Sequence, residues 1–331
     1  MAGLKLLGVL CGAVAVALVL SAAVCLLPEN VYQRWRLQAE YMHGVLVRDY
    51  ERIRFDPKPI DIAILGSSHA QLALSAAAVE DRLAELGKRA SVVNLAIGGA
   101  GQNIQWAIVD ELFKWKSPRV IVLCVEDQPR PFGHFAFRYV APADAIVFPP
   151  SPFLHNYLYD LAYLPARKAE LFGANLFPSL FGLPKQFDPK SYAQNRTDFT
   201  TDFPDEFGRT VDMMHSVSRA TLLAQQRWPE GRTFVARALN RISGGEDHLY
   251  IRKIAEEAKA HGTQLIFIYI PIFNGPEKIS DLDFLKGYGL VLSLGDLAQR
   301  DDLFENWSHF NHAGAMTASA RLADAIAGLD F

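Results

Sequence analysis

Short apolar runs alternate along this chain with longer stretches in which apolar positions recur every three or four residues. The runs predict strands at residues 60–65, 91–95, 119–125, 264–270 and 289–293. The longer stretches predict helices over 72–86, 102–115, 247–260 and 313–328. Strands that are apolar at nearly every position, separated by amphipathic helices, are what a parallel sheet covered on both faces requires. Gly87 and Gly262 stand just past two of the helices, where a left-handed residue ends a helix most easily.

Two regions break this alternation. Residues 6–27 carry no charge and are long enough, at helical rise, to cross a bilayer core of about 30 Å. They predict an N-terminal transmembrane anchor over 1–28; a buried core helix or a cleaved signal peptide is the plainer alternative. Tyr32, Arg34, Trp35 and Arg36 follow as an interfacial belt. Lys5 and the amino terminus roughly balance Arg34 and Arg36, so charge leaves the orientation open, and the short N-terminal tail favours a domain outside the cytoplasm. A polar connector over 29–58 then leads to the main domain, 59–331. The second break, about 128–245, is aromatic- and proline-rich and too long for a plain loop. It reads as an insertion covering the C-terminal edge of the sheet, where open α/β sheets bind ligands.

Composition narrows the function. Half of the 331 residues are hydrophobic, enough for a sizeable core, and a net charge of −3 with scattered Lys and Arg gives no footprint for nucleic acid. Cys11 and Cys25 lie in the apolar run, so Cys124 has no disulfide partner in the main domain. Without a glycine-rich phosphate loop, a metal-ligand cluster or a cysteine pair, neither metal nor cofactor is expected.

The chemistry gathers at two places. Gly66-Ser67-Ser68-His69 follows the first predicted strand, putting a hydroxyl where a strand turns into a helix. The first N–H groups of that helix, at the positive end of its dipole, would face an oxyanion formed there. Serine is also a favoured helix N-cap, so Ser67 or Ser68 could serve the fold alone. Near the other end, Asn306-Trp307-Ser308-His309-Phe310-Asn311 offers a histidine on a loop, the side chain suited to accept a proton from serine near neutral pH.

These stretches, with Asn94-Leu95-Ala96-Ile97-Gly98-Gly99 after the second strand and Asn306-x-x-His309-Phe310-Asn311-x-x-Gly314 before the last helix, resemble the first, second and fifth blocks of SGNH/GDSL hydrolases. The likeness covers roughly 58–127 and 246–328. It implies a flavodoxin-like three-layer α/β/α fold in which Ser68 is the nucleophile, His309 the general base, and the N–H groups of Ser68 and Gly99 the oxyanion donors. Ser67 stands where the Gly-Asp-Ser form has Asp, and Gly98 and Asn94 read as turn residues beside the pocket. The double-serine form is similar to that of membrane-anchored members acting in D-alanyl transfer and alginate acetylation. A single-pass esterase or O-acyltransferase in the periplasm or outside the cell is therefore expected, with the inner membrane, an acylated glycan substrate and a membrane-bound O-acyltransferase as partners.

Two departures set up a rival. The family's acid, three residues before the histidine, is Asn306, which can orient the ring but brings no charge; Glu305, Asp301 or Asp302 could replace it, or the site could be a Ser–His dyad. The family's Asn after the third strand is replaced by Glu126-Asp127-Gln128, of which Gln128 could donate to an oxyanion. Loss of both groups fits a catalytically degenerate scaffold subunit of a polysaccharide modification or export complex.

Overall fold

The computed structural model describes residues 2–37, 44–127, 132–190, 192, 217–225 and 245–329. Helix α1 (Ala2–Cys25) is the apolar N-terminal run; α2 (Val31–Arg36) and α3 (Val45–Arg54) follow. Then come β1 (Ile62–Leu65), α4 (Ser68–Ala73), α5 (Ala76–Glu85), β2 (Val92–Asn94), α6 (Gln102–Trp115) and β3 (Val120–Val125). The central region supplies α7 (Phe137–Val140), α8 (Ala143–Val147), α9 (Tyr157–Leu176), α10 (Pro178–Phe181) and α11 (Arg219–Gln225). The chain ends through α12 (Glu246–Ala260), β4 (Gln264–Tyr269), α13 (Leu282–Lys286), β5 (Leu290–Ser293), the small antiparallel pair β6 (Phe304–Asn306) and β7 (His309–Phe310), and α14 (His312–Ala327).

All five strands of the main sheet are parallel, in the order β2-β1-β3-β4-β5, which is the flavodoxin-like order. The period of two along each strand sorts side chains between two cores. Ala63, Leu65, Ile121, Leu123 and Phe267 enter one, shared with α3, α6, α12 and the central region. Ile62, Ile64, Val120, Val122 and Ile268 enter the other, beneath α4, α5 and α14. The molecule is thus α/β with helices on both sheet faces.

Two differences from the sequence reading, and one contact it did not address, have local causes. The helix expected over 72–86 is two helices. Ser75 caps the second by accepting from Ala78 N at 3.1 Å, and the break exposes Ala70 and Leu74 carbonyls to the Asn94 side chain. The connector is no polar tether: Trp35 and Ile53 are fully buried, and Trp35 stacks on Tyr50 at 5.3 Å. Its polar residues are largely buried too, with Glu51 accepting from Tyr32 Oη at 2.6 Å and Arg36 Nη1 at 3.2 Å. Finally, α1 is joined to the domain. It packs on α9, Lys168 Nζ donates to Leu27 O at 3.2 Å, and Glu29 pairs with Arg34, Arg167 and Lys168 at 2.7, 3.6 and 3.3 Å. The stretch Leu7–Cys25 has a mean hydropathy of 2.6 and is long and apolar enough to span a membrane.

Candidate active site

Strand β1 ends at Gly66, whose φ of +149° suits glycine and whose Cβ, if present, would lie 2.5 Å from Cys124 Cβ and 2.9 Å from Ala70 Cβ. Buried Gln105 grips its peptide from both sides, Oε1 accepting from Gly66 N at 3.1 Å and Nε2 donating to Gly66 O at 3.0 Å. The next two residues leave the sheet edge on a fixed heading. Gly66→Ala is expected to destabilise the fold by about 3 kcal/mol, since the methyl meets backbone-anchored atoms on both sides. A denaturation midpoint within error of wild type would show the turn to be slack.

Ser67 is the N-cap of α4, its Oγ accepting from His69 N at 3.4 Å. Ser68 is the first helical residue, partly open to solvent. Its Oγ lies 3.0 Å from His309 Nε2. The ring is set from the far side by Nδ1, which lies 3.2 Å from Asn306 Oδ1 and 3.1 Å from Ser308 Oγ. Asn306 Oδ1 also accepts from Ser308 N at 3.0 Å, Ser308 Oγ at 2.9 Å and His309 N at 3.0 Å. With acceptors at Nδ1, the proton sits there and the Nε2 lone pair faces the serine hydroxyl. Burial, reinforced by neighbouring His69, pulls the His309 pKa down to about 3, so the ring is neutral. Ser308 and His69 carry no signal in the sequence that separates them from ordinary loop and helix residues.

The second strand delivers the glycine loop. Leu95 N and Ile97 N donate to Ile64 O and Gly66 O at 2.8 and 2.9 Å, laying residues 95–97 beside the end of β1. Gly99 has φ +93°, and a Cβ there would lie 2.5 Å from His134 Nε2. His134 is a residue sequence reasoning missed. Its Nδ1 accepts from Ala136 N at 3.1 Å, so Nε2 carries the proton and donates to Gly98 O at 2.8 Å. Its own N–H donates to Asn103 Oδ1 at 2.7 Å. The start of the central region therefore braces the glycine loop at the C-terminal edge of the sheet. Asn94 is spent on structure: buried, it donates to Ala70 O and Leu74 O at 3.1 and 2.7 Å and accepts from Ala96 N at 3.0 Å. It fixes the turn and does not reach the reacting groups.

At the third strand, Asp127 accepts from Ser280 N and Oγ, both at 3.0 Å, and so caps a loop. Glu126 lines a small cavity with Ser67, Gly101, Gln102, Gln105, Cys124 and Asp247. Gln128 lies outside the described residues. Among the other acid candidates, Asp302 is paired with Arg300 at 2.7 Å, Asp301 begins a short 3-10 turn, and Glu305 precedes Asn306 on β6. His312 opens α14, behind the N-cap Asn311 that accepts from Gly314 N at 3.0 Å. Among the described residues no group of three or more His, Cys, Asp and Glu could hold a metal ion.

Protonation of the brace has a measurable signature. Burial lowers the His134 pKa to about 4, so the stability it contributes is complete above its ordinary 6.5 and is lost as pH falls toward 4. Buried Glu246 works oppositely: burial, then Asp247 and Asp160, push its pKa up to about 8 from 4.5, while Gly133 and His155 backbone N–H groups donate to it. It keeps its proton in the fold and gives it up on unfolding, so its contribution is full below pH 4.5 and is lost as pH rises through 8. Glu246→Gln is expected to flatten the alkaline fall of melting temperature between pH 6 and 9. Parallel curves for variant and wild type would mean that Glu246 ionises freely in the fold.

Compared with known proteins, the chain matches no family model and no curated protein.

Proposed function

We propose that this protein is a membrane-anchored serine esterase or O-acyltransferase of SGNH type, acting on an acylated, most simply acetylated, cell-envelope or exported polysaccharide. The observation that carries the reading is the relay Ser68 Oγ, His309 Nε2, His309 Nδ1 and Asn306 Oδ1, with steps of 3.0 and 3.2 Å across the ring. Ser68 Oγ attacks the acyl carbonyl while His309 Nε2 takes its proton. The tetrahedral oxyanion is held by the N–H of Ser68, at the first turn of α4, and by that of Gly99. His309 then protonates the departing alcohol, leaving an acyl-serine. In the second half an incoming hydroxyl gives its proton to His309 and attacks the acyl carbon, and the Ser68 Oγ–acyl bond breaks as Oγ recovers the proton. Water gives deacylation and a sugar hydroxyl gives transfer.

The junction of α1 with α9 supports an anchor that stays with the mature protein, and a domain in the periplasm or outside the cell is what the resemblance implies. A membrane-bound O-acyltransferase is the partner such a layout calls for. The low basicity of His309 and the carboxylate of Glu126 at the cavity favour one rival, a degenerate scaffold subunit. Treating the full-length protein with a fluorophosphonate probe separates the two. Covalent mass on the peptide carrying Ser68 supports the enzyme, and its absence from folded protein supports the scaffold.

A further inference from the structure

Beside the anchor lies a surface that the proposed chemistry does not use. Leu176, Phe177, Leu180 and Phe181, at the end of α9 and in α10, are exposed to 53, 61, 79 and 41%. Single exposed apolar residues are ordinary, but four within six residues, across the corner between α9 and α10, form a patch. Its backbone is tied to the residues that follow the anchor. Gln33 Nε2 donates to Ala174 O at 3.1 Å and to Leu183 O at 2.8 Å, and Asn30 Nδ2 donates to Lys185 O at 3.0 Å. These bonds bracket the patch on both sides. Leu26, exposed to 86%, and Leu27, whose carbonyl accepts from Lys168 of α9, complete the junction.

Asn30 is three residues beyond Leu27, a reach of about 10 Å at most. The headgroup layer flanking the hydrocarbon core is about 5–7 Å deep on each side. With α1 spanning the bilayer, a patch fastened there lies within or just above the headgroup layer. We infer that the α9–α10 corner is a second membrane contact, inserting Leu176, Phe177 and Leu180 into the interface of the leaflet from which α1 emerges. The partner is the lipid bilayer itself, and the inference rests on the anchor reading. The corner and α1 are two attachments of one hydrogen-bonded junction, so together they set how the domain stands on the membrane.

The test uses the full chain in nanodiscs of phosphatidylcholine, with an environment-sensitive fluorophore at single cysteines. Cys124 is buried, so Cys25→Ser leaves Cys11 on α1 as a reporter of the anchor. Leu180→Cys in a Cys11→Ser, Cys25→Ser background reports the patch, and Leu86→Cys, exposed at the end of α5 on the opposite face of the sheet from the central region, is the solvent control. Lipid brominated high on its chains is expected to remove most of the emission from position 180 and to leave position 86 bright. Position 180 as bright as position 86, with Cys11 quenched, overturns the contact and spares the anchor. Unquenched probes at both Cys11 and position 180 overturn both.

Discussion

Ser68→Ala is expected to lower kcat/KM for an activated acetyl ester by about 10⁴-fold and to remove fluorophosphonate labelling altogether. The hydroxyl is the atom that forms the acyl bond, and no other hydroxyl stands within hydrogen-bonding reach of His309 Nε2 in the described residues. His309→Ala should cost nearly as much, because an unactivated serine is a weak nucleophile. The double variant should be no worse than either single one, since the two act as a unit. Ser67→Ala supplies the contrast. Its hydroxyl caps α4, so its loss should cost about 1 kcal/mol of stability while the probe still labels Ser68. Equal turnover by wild type and Ser68→Ala would end the nucleophile assignment.

Most of the sheet was readable because its strands are buried on both faces and their apolar runs have sharp ends. The predicted 119–125, 264–270 and 289–293 match β3, β4 and β5 to within a residue. Helix 102–115 is recovered as α6. The strand-to-helix transition also located Ser68, while His309, expected on a loop, lies on the short strand β7 just before α14. What stayed hidden depends on partners distant in sequence. The break between α4 and α5 needs Asn94 to satisfy carbonyls 24 and 20 residues away. The bracing of Gly98 needs His134, 36 residues on, in a region without periodicity. The connector hides its burial because its charges pair with one another and with the domain, so polarity in the sequence does not mean exposure there.

Asn306→Asp is expected to raise kcat/KM at pH 8 by about 10- to 100-fold and to create an acid limb absent from wild type. Asn306 Oδ1 already gathers three donors, from Ser308 N, Ser308 Oγ and His309 N, and faces Nδ1 as a fourth. Those donors suit a carboxylate oxygen at least as well as an amide one. In wild type nothing negative offsets the burial of the ring, so His309 stays neutral down to about pH 3 and is a feeble base. A carboxylate beside Nδ1 stabilises the imidazolium formed when Ser68 gives up its proton, which lifts the ring pKa and lowers the barrier together. Because the lifted pKa also means protonation at higher pH, the gain should shrink as pH falls below the new value, while wild type stays level over that range. The pH profile distinguishes this from a better-folded protein, which would move rate without moving the limb. A variant with neither faster turnover nor an acid limb would mean that His309 is not the proton acceptor. The Ser68–His309 contact would then be a structural hydrogen bond, and the scaffold reading would be the better account of the chain.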